Sequence, residues 1–335
     1  MKKFFTLLLA VISTMTAFAQ TEPAIELQAE VDGNTRTLTI GLGVEGTVQI
    51  DWGNGEKVTS EVIPAFDGWN QVDVSGTVSG DGKVKIYGDN IVYFECSSRV
   101  DGAQVLSLDV TKATALKDLT ANANKLTSID LTKNTELEKL YININQLTSI
   151  DISKCTKLTT LDINNNLLTA IDITKNQALQ TLRIGQNKLT GELDLSTNPT
   201  IKSVYAQTNE LTSVKIGNNT ASKPTFSFNE NKLTSFDATG IKDAGNATLF
   251  LISNQLTEIT LPSAKMRILN IFKNNFTLAT LPAPTVAKTF NYAPQNNYVI
   301  AESYKVGDVL DLSSQTSATL NTQFAVYKSD KTALT

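Results

Sequence analysis

From residue 105 onward the apolar positions recur in a fixed frame. Segments starting at Val105, Leu126, Leu147, Leu168, Leu189, Leu211, Leu233, Leu256 and Phe276 align at spacings of 21, 21, 21, 21, 22, 22, 23 and 20 residues. Leu137 to Leu147 reads L-x-x-L-x-L-x-x-N-x-L; Leu158–Leu168 and Leu179–Leu189 repeat it, and Leu116–Leu126 does so with Ala121 in one leucine position. In the L-x-L step two apolar residues point one way and the residue between them the other, the period of a strand. Each unit therefore predicts one short strand, and stacked units predict a parallel sheet along one side. A second half-motif, Leu126-x-x-Ile129-Asp130-Leu131-x-x-Asn134, recurs around Ile150-Asp151-Ile152, Ile171-Asp172-Ile173 and Leu193-Asp194-Leu195. It predicts a short extended segment on the opposite, convex side. Asn124, Asn145, Asn166, Asn187, Asn209, Asn231, Asn254 and Asn274 form a column where the chain turns inward. A buried amide there bonds backbone groups that the turn leaves unpaired, so the column reads as structural, not as a ligand set.

This pattern resembles the leucine-rich repeat, over about Val105 to Asn296. Units this compact are similar to those of internalin-like bacterial surface proteins. The resemblance implies a leucine-rich repeat solenoid of the α/β type: a right-handed superhelix of short parallel strands with few helices, preceded by a small β-rich module. The expected organisation is a signal peptide at 1–19, a capping module at 24–100, about nine units of 20–23 residues at 101–298, and a partial β segment at 299–335. Regularity falls after Leu211, where Lys215 replaces the convex aspartate and Phe226 and Phe228 replace strand leucines. Phe290 to Gln295 keeps the alternation but puts Gln295 in the asparagine position. This is the expected last coil, since terminal repeats of solenoids are atypical.

The flanks read as β structure. Residues 24–100 alternate strand formers with polar turns: Leu38-Thr39-Ile40, Val48-Gln49-Ile50, Val84 to Tyr87 and Ile91 to Phe94. Asn54-Gly55 predicts a hairpin whose two turn positions take positive φ. Asp51-Trp52-Gly53-Asn54-Gly55 resembles the turn of PKD-like modules of bacterial surface proteins, a match of five residues. The segment reads as a cap on the first repeat, with a separate ligand-binding module as the alternative. In the tail, Tyr304 to Leu312 and Gln323 to Lys328 read as strands of an incomplete module.

The first residues belong to another class of signal. Lys2 and Lys3 precede an apolar stretch from Phe4 to Ile12, and Ala17-Phe18-Ala19 supplies a small-x-small cleavage site. That is a Sec-type leader, too short to span a bilayer, which takes about 20 residues. Export to the cell surface or medium is expected, with the periplasm as a further destination. With 29 Lys and Arg against 33 Asp and Glu, the net charge is −4, with no basic run. No nucleic-acid partner is expected on that ground, because phosphate neutralisation needs clustered cations. The chain has no histidine, which removes histidine acid–base catalysis, the serine triad and histidine-ligated metal sites. Cys96 and Cys155 stand far apart in the repeat frame, as a disulfide or as two separate thiols.

Function is expected on the concave sheet. If the leucines face in, the residues between them face solvent: Thr120, Tyr141, Asp162, Arg183, Tyr205, Ser227, Phe250, Asn270 and Asn291. The next outward row reads Asn122, Asn143, Asn164, Gly185, Gln207, Asn229, Ile252, Phe272 and Ala293. Nine strands at about 4.8 Å span roughly 40 Å, a surface suited to a protein or glycan. Tyr141, Asp162, Asn164, Arg183, Tyr205, Phe250 and Phe272 are the candidate contacts, since tyrosine and arginine are frequent hot spots; ordinary strand formers are the alternative. The resemblance implies a non-catalytic, monomeric adhesion or recognition protein for a host or neighbouring-cell protein, with a glycan as the alternative ligand. No cofactor or metal is expected. The convex aspartates Asp109, Asp130, Asp151, Asp172, Asp194 and Asp237 read as a solvated charge ladder offset by Lys112, Lys133, Lys154 and Lys175, or as a calcium column. An enzyme of the glycosidase type would use Asp118, Asp162 or Glu230, none with a pocket expected to raise its pKa.

Overall fold

The computed structural model describes residues 22–295 apart from 45, 63–69, 99–103, 278–279 and 294. The expected leader at 1–19 and the expected β segment at 299–335 lie outside the described residues. Eight strands precede the first regular repeat strand: β1 (Ile25–Ala29), β2 (Thr35–Leu42), β3 (Gly46–Asp51), β4 (Lys57–Val62), β5 (Asn70–Thr77), β6 (Lys83–Tyr87), β7 (Ile91–Glu95) and β8 (Val105–Asp109). They form two layers. One sheet has the order β4-β3-β6-β1-β8. In the other, β5, β2 and β7 pair antiparallel and continue directly into the repeats. The alternation read from sequence is what separates the layers: in β1 and β2 every second side chain is buried between the sheets, among them Leu27, Leu38 and Ile40.

The joint between module and repeats is made by backbone pairing. β7 runs parallel to β9 (Asp118–Thr120), with Tyr93 opposite Asp118, Phe94 opposite Leu119 and Glu95 opposite Thr120. On the other side, β8 pairs antiparallel with β1. From β9 the sheet continues through Lys139–Tyr141, Thr160–Asp162, Thr181–Arg183, Ser203–Tyr205, Thr225–Ser227, Thr248–Phe250 and Met266–Asn270 to Ala287–Asn291, all parallel. It totals twelve strands. The buried residues form one core from Ala24 to Ala287. The molecule is a leucine-rich repeat solenoid with nearly no helix; the described residues hold two 3-10 turns, Ala244–Asn246 and Pro284–Val286.

One local expectation is corrected and one is sharpened. The convex segments alternate as read, and from 126 to 175 they form no strand ladder. Convex pairs form at Thr190–Asp194 with Glu210–Lys215 and at Ser235–Asp237 with Glu258–Thr260. These lie in the less regular part of the chain after Leu189, where Gly191 takes φ +71. The β3–β4 hairpin exists, but its last pair is Asp51 with Lys57, so the connection is longer than a two-residue turn. Gly53 and Gly55, not Asn54, take positive φ. The cause is Asp51, whose Oδ1 accepts from the N–H of both Gly53 and Gly55 at 2.9 Å. Trp52 packs over Gly76, where any Cβ would collide with the indole. This five-residue motif is a structural knot.

Candidate functional site: the concave sheet

The surface is held by the asparagine column beneath it. Asn145 Nδ2 donates to the carbonyls of Ala121, Ile142 and Asn143, and its Oδ1 accepts from the N–H of Leu126 at 3.0 Å. Asn124, Asn166, Asn187, Asn209, Asn231, Asn254 and Asn274 repeat this pattern one coil at a time. Gln295 does the same in the last coil, donating to Ile271 and Tyr292. The residue before each rung is left-handed, from Ala123 through Ile144 to Lys273, with φ of 53 to 57. Asn134, which closes the convex half-motif, begins a second column that the sequence pattern alone did not mark as buried. Asn134, Asn176, Asn198 and Asn219 are fully buried at the convex return and donate to carbonyls of the preceding coil. Its signal is the same spacing, interrupted by Cys155. Both cysteines are free and buried, and burial pushes Cys96 up to about 12 and Cys155 to about 11.

The convex aspartates close their own turns. Oδ1 of Asp109, Asp130, Asp151, Asp172, Asp194 and Asp237 accepts from the N–H two residues on, at 2.8 to 2.9 Å. The Thr132 hydroxyl and then its N–H lower Asp130, and the N–H groups of Ser153 and Thr174 lower Asp151 and Asp172, each ahead of the lysines. Lys112 binds Glu22 instead of Asp109. Among the described residues no three of His, Cys, Asp and Glu come together as a metal-binding group.

Strand pairing places Thr120, Tyr141, Asp162, Arg183, Tyr205, Ser227, Phe250, Asn270 and Asn291 in one cross-strand row. Within it, Asp162 Oδ2 lies 3.7 Å from Arg183 Nη1, and the Arg183 guanidinium lies 5.7 Å from the Tyr205 ring centre. Arg183 is thus held between a carboxylate and an aromatic face, while remaining half-exposed. Asp162 is only 8% exposed, so it acts by positioning Arg183. Asn164 is likewise engaged: its Oδ1 accepts from the N–H of Gly185 at 2.6 Å. Asn122 and Asn229 brace the next strand in the same way, through Asn143 and Ile252. Phe250 and Phe272 stand apart from the Tyr141–Tyr205 group, with half-buried Ile252 and Ile268 beside them. Those two isoleucines occupy outward positions that a search for aromatics passes over.

The expectation of no raised acid is overturned. Burial lifts both Asp118 and Asp162, opposed by Lys139 at 3.5 Å and by the Asn164 N–H and Arg183 respectively. A short carboxylate between long neighbours on adjacent strands sinks below their tips; Asp162 lies between Tyr141 and Arg183. Asp162 and Glu230 do not come together as a pair. Glu230 lies on the turn after Thr225–Ser227, three strands from Asp162, roughly 14 Å by strand spacing. That exceeds the about 5 to 9.5 Å between paired glycosidase carboxylates.

Residues 135–175 match the family described as leucine rich repeats (2 copies). No curated protein sequence matches the chain. Similar solved structures include the functional domain of InlJ from Listeria monocytogenes, at 22% identity and TM-score 0.40, covering 55% of this chain and 46% of that one. A leucine-rich repeat protein of Leptospira interrogans aligns at 17% identity and TM-score 0.43, covering 56% of this chain and 57% of the other. An internalin (inlF) of Listeria monocytogenes aligns at 19% identity and TM-score 0.34, covering 61% and 74%. The chain spans about half the length of the first two structures. These likenesses concern the fold alone.

Proposed function

We propose that this chain is an exported, non-catalytic recognition protein that binds a protein partner on its concave sheet, in an adhesive or surface-sensing role. The observation that carries the reading is the Tyr141–Asp162–Arg183–Tyr205 row: four adjacent strands in register, with an arginine pre-positioned by its neighbours. Fixing a guanidinium before contact reduces the ordering cost of binding, and tyrosine and arginine are frequent hot spots. The leader at 1–19 supports export to the surface or medium. No helix among the described residues is long and apolar enough to cross a membrane. A glycan is the second reading, favoured by the amide row Asn122, Asn143, Asn164 and Asn229 beside Tyr141 and Tyr205.

The test is binding of purified residues 20–335 to paired arrays of extracellular proteins and glycans, beside a Tyr141→Ala/Tyr205→Ala variant. A protein ligand lost in the variant supports the first reading, and a glycan ligand lost in it supports the second. Binding that survives the double substitution removes the site.

A further inference from the structure

The row that holds Arg183 and Tyr205 continues in register through Ser227 and Phe250 to Asn270. Its last part changes character. Asn270 stands between Ile268 and Phe272 on the outward face of its own strand, with Phe250 directly opposite on the neighbouring strand and Ile252 two residues on. These four apolar side chains are all half-buried. Apolar side chains that stand together at a surface, unlike scattered ones, mark a contact site. The outward positions of Thr225–Ser227 and Thr248–Phe250 add no charge. Arg267, at the start of the next strand, is turned to the Thr248 hydroxyl and the Asn246 carbonyl.

Asn270 supplies the second, independent observation. The outward asparagines Asn122, Asn164 and Asn229 each use Oδ1 to accept a backbone N–H of the next strand. Asn270 does not: its Oδ1 is buried and has no hydrogen-bond partner among the described residues, although the residue as a whole is half-buried. Gln207 Oε1 is in the same state, but its side chain lies over Gly185, away from the apolar group. The terminal torsion of an asparagine is soft, so a turn of the Asn270 amide brings its oxygen out among the apolar side chains. A buried acceptor without a donor is costly, and the donor missing here has to arrive on an apolar carrier.

We propose that Phe250, Ile252, Ile268 and Phe272, with the Asn270 amide among them, seat one tryptophan or tyrosine side chain on an extended segment of the protein partner. This rests on the concave sheet being the binding face and names what its C-terminal half reads. Indole and phenol join an apolar body to a single N–H or O–H. The body covers the four apolar side chains and the tip donates to Asn270 Oδ1. Phenylalanine or leucine covers the same surface but leaves Oδ1 unpaired, and lysine or arginine loses hydration against apolar groups that return no counter-charge. A stable dimer buries about 800 Å² on each partner, more than four half-buried side chains provide, so the seat suits one anchor residue better than a second copy of the chain. Tyr205 and Asn270 are three strand spacings apart, roughly 14 Å, a distance that about five residues of extended chain cross. A single segment therefore reaches both the Arg183–Tyr205 contact and the apolar end.

The experiment uses residues 20–335 as bait for a displayed library of random peptides. Enriched peptides are then measured by calorimetry against wild type, Ile252→Lys, Asn270→Leu and Tyr141→Ala/Tyr205→Ala. Thermal melts check that each variant folds, and sedimentation velocity follows self-association. The expected result is enrichment of tryptophan or tyrosine, with affinity lowered about ten-fold or more by Ile252→Lys. Wild type should bind an enriched peptide about ten-fold more tightly than its copy with phenylalanine in the aromatic position, and Asn270→Leu should bind the two alike. A purely structural Asn270 would change the melt and leave that preference as in wild type. Enriched peptides without tryptophan or tyrosine, equal binding to Ile252→Lys and wild type, or a preference untouched by Asn270→Leu overturn the inference. Self-association of wild type that Ile252→Lys abolishes also overturns it, by giving the seat to a second copy. If the enriched peptides still fail on Tyr141→Ala/Tyr205→Ala, the concave reading survives and only the aromatic seat falls. Peptides indifferent to every variant, or no enrichment, overturn both.

Discussion

At the scale of single residues, the molecule depends on side chains that satisfy backbone. Each rung asparagine makes three donor bonds and one acceptor bond inside the coil, so Asn166→Ala leaves several buried groups unpaired. It is expected to cost about 2–4 kcal/mol, read as a lower urea midpoint, whereas the half-exposed Asn164→Ala costs less. Ile144 is a β-branched residue at φ +54 and half-exposed, and Asn165 fills the same position one coil later. Left-handed backbone penalises a branched Cβ by about 1–2 kcal/mol, so Ile144→Asn should raise the melting temperature. The carboxylates give two opposed pH windows. Asp118 and Asp162 have folded pKa values raised above the unfolded value, so the native state binds more protons there, and stability falls as pH rises above about 4. Asp130, Asp151 and Asp172 have lowered values, so their contribution is present above that point and is lost as pH falls below it. Melting across pH should lose the upper slope, but keep the acid limb, in Asp118→Asn/Asp162→Asn.

At the scale of the element, the repeat strands and the rung asparagines were legible in the sequence because L-x-L and N-x-L recur at fixed spacing. The convex strands were not, since alternation reports which way a side chain points and not whether neighbouring backbones come close enough to pair. The raised acids were missed for a related reason: their burial comes from residues 21 positions away in sequence. The second asparagine column was hidden by Cys155, which stands where Asn134 and Asn176 stand in adjacent coils and places its Sγ 3.8 Å from the Leu131 carbonyl. Cys155→Asn should therefore restore two donor bonds and leave stability equal or higher. A thiol reagent should find both cysteines silent in the native protein and reactive after unfolding. The candidate surface was half legible. Its row order follows from the repeat frame, whereas the Asp162–Arg183–Tyr205 contact required the paired sheet.

At the scale of the whole molecule, module and repeats share one sheet and one core. A chain starting at residue 105 exposes the β9 edge that β7 covers, together with Leu119, and is expected to aggregate or unfold. An exposed strand edge is a template for further pairing. One cooperative melt of residues 20–335, against no folded repeat fragment, is the expected pattern. On the proposed reading, a partner lands on the concave sheet. Hydrogen exchange of the free protein and of its complex with the protein ligand found on the array tests this most directly. Slowed exchange in the bound state is expected around residues 139–143, 160–164, 181–185 and 203–207, with residues 130–134 and 151–155 unchanged. Protection confined to the convex turns, with the sheet unaffected, would contradict it.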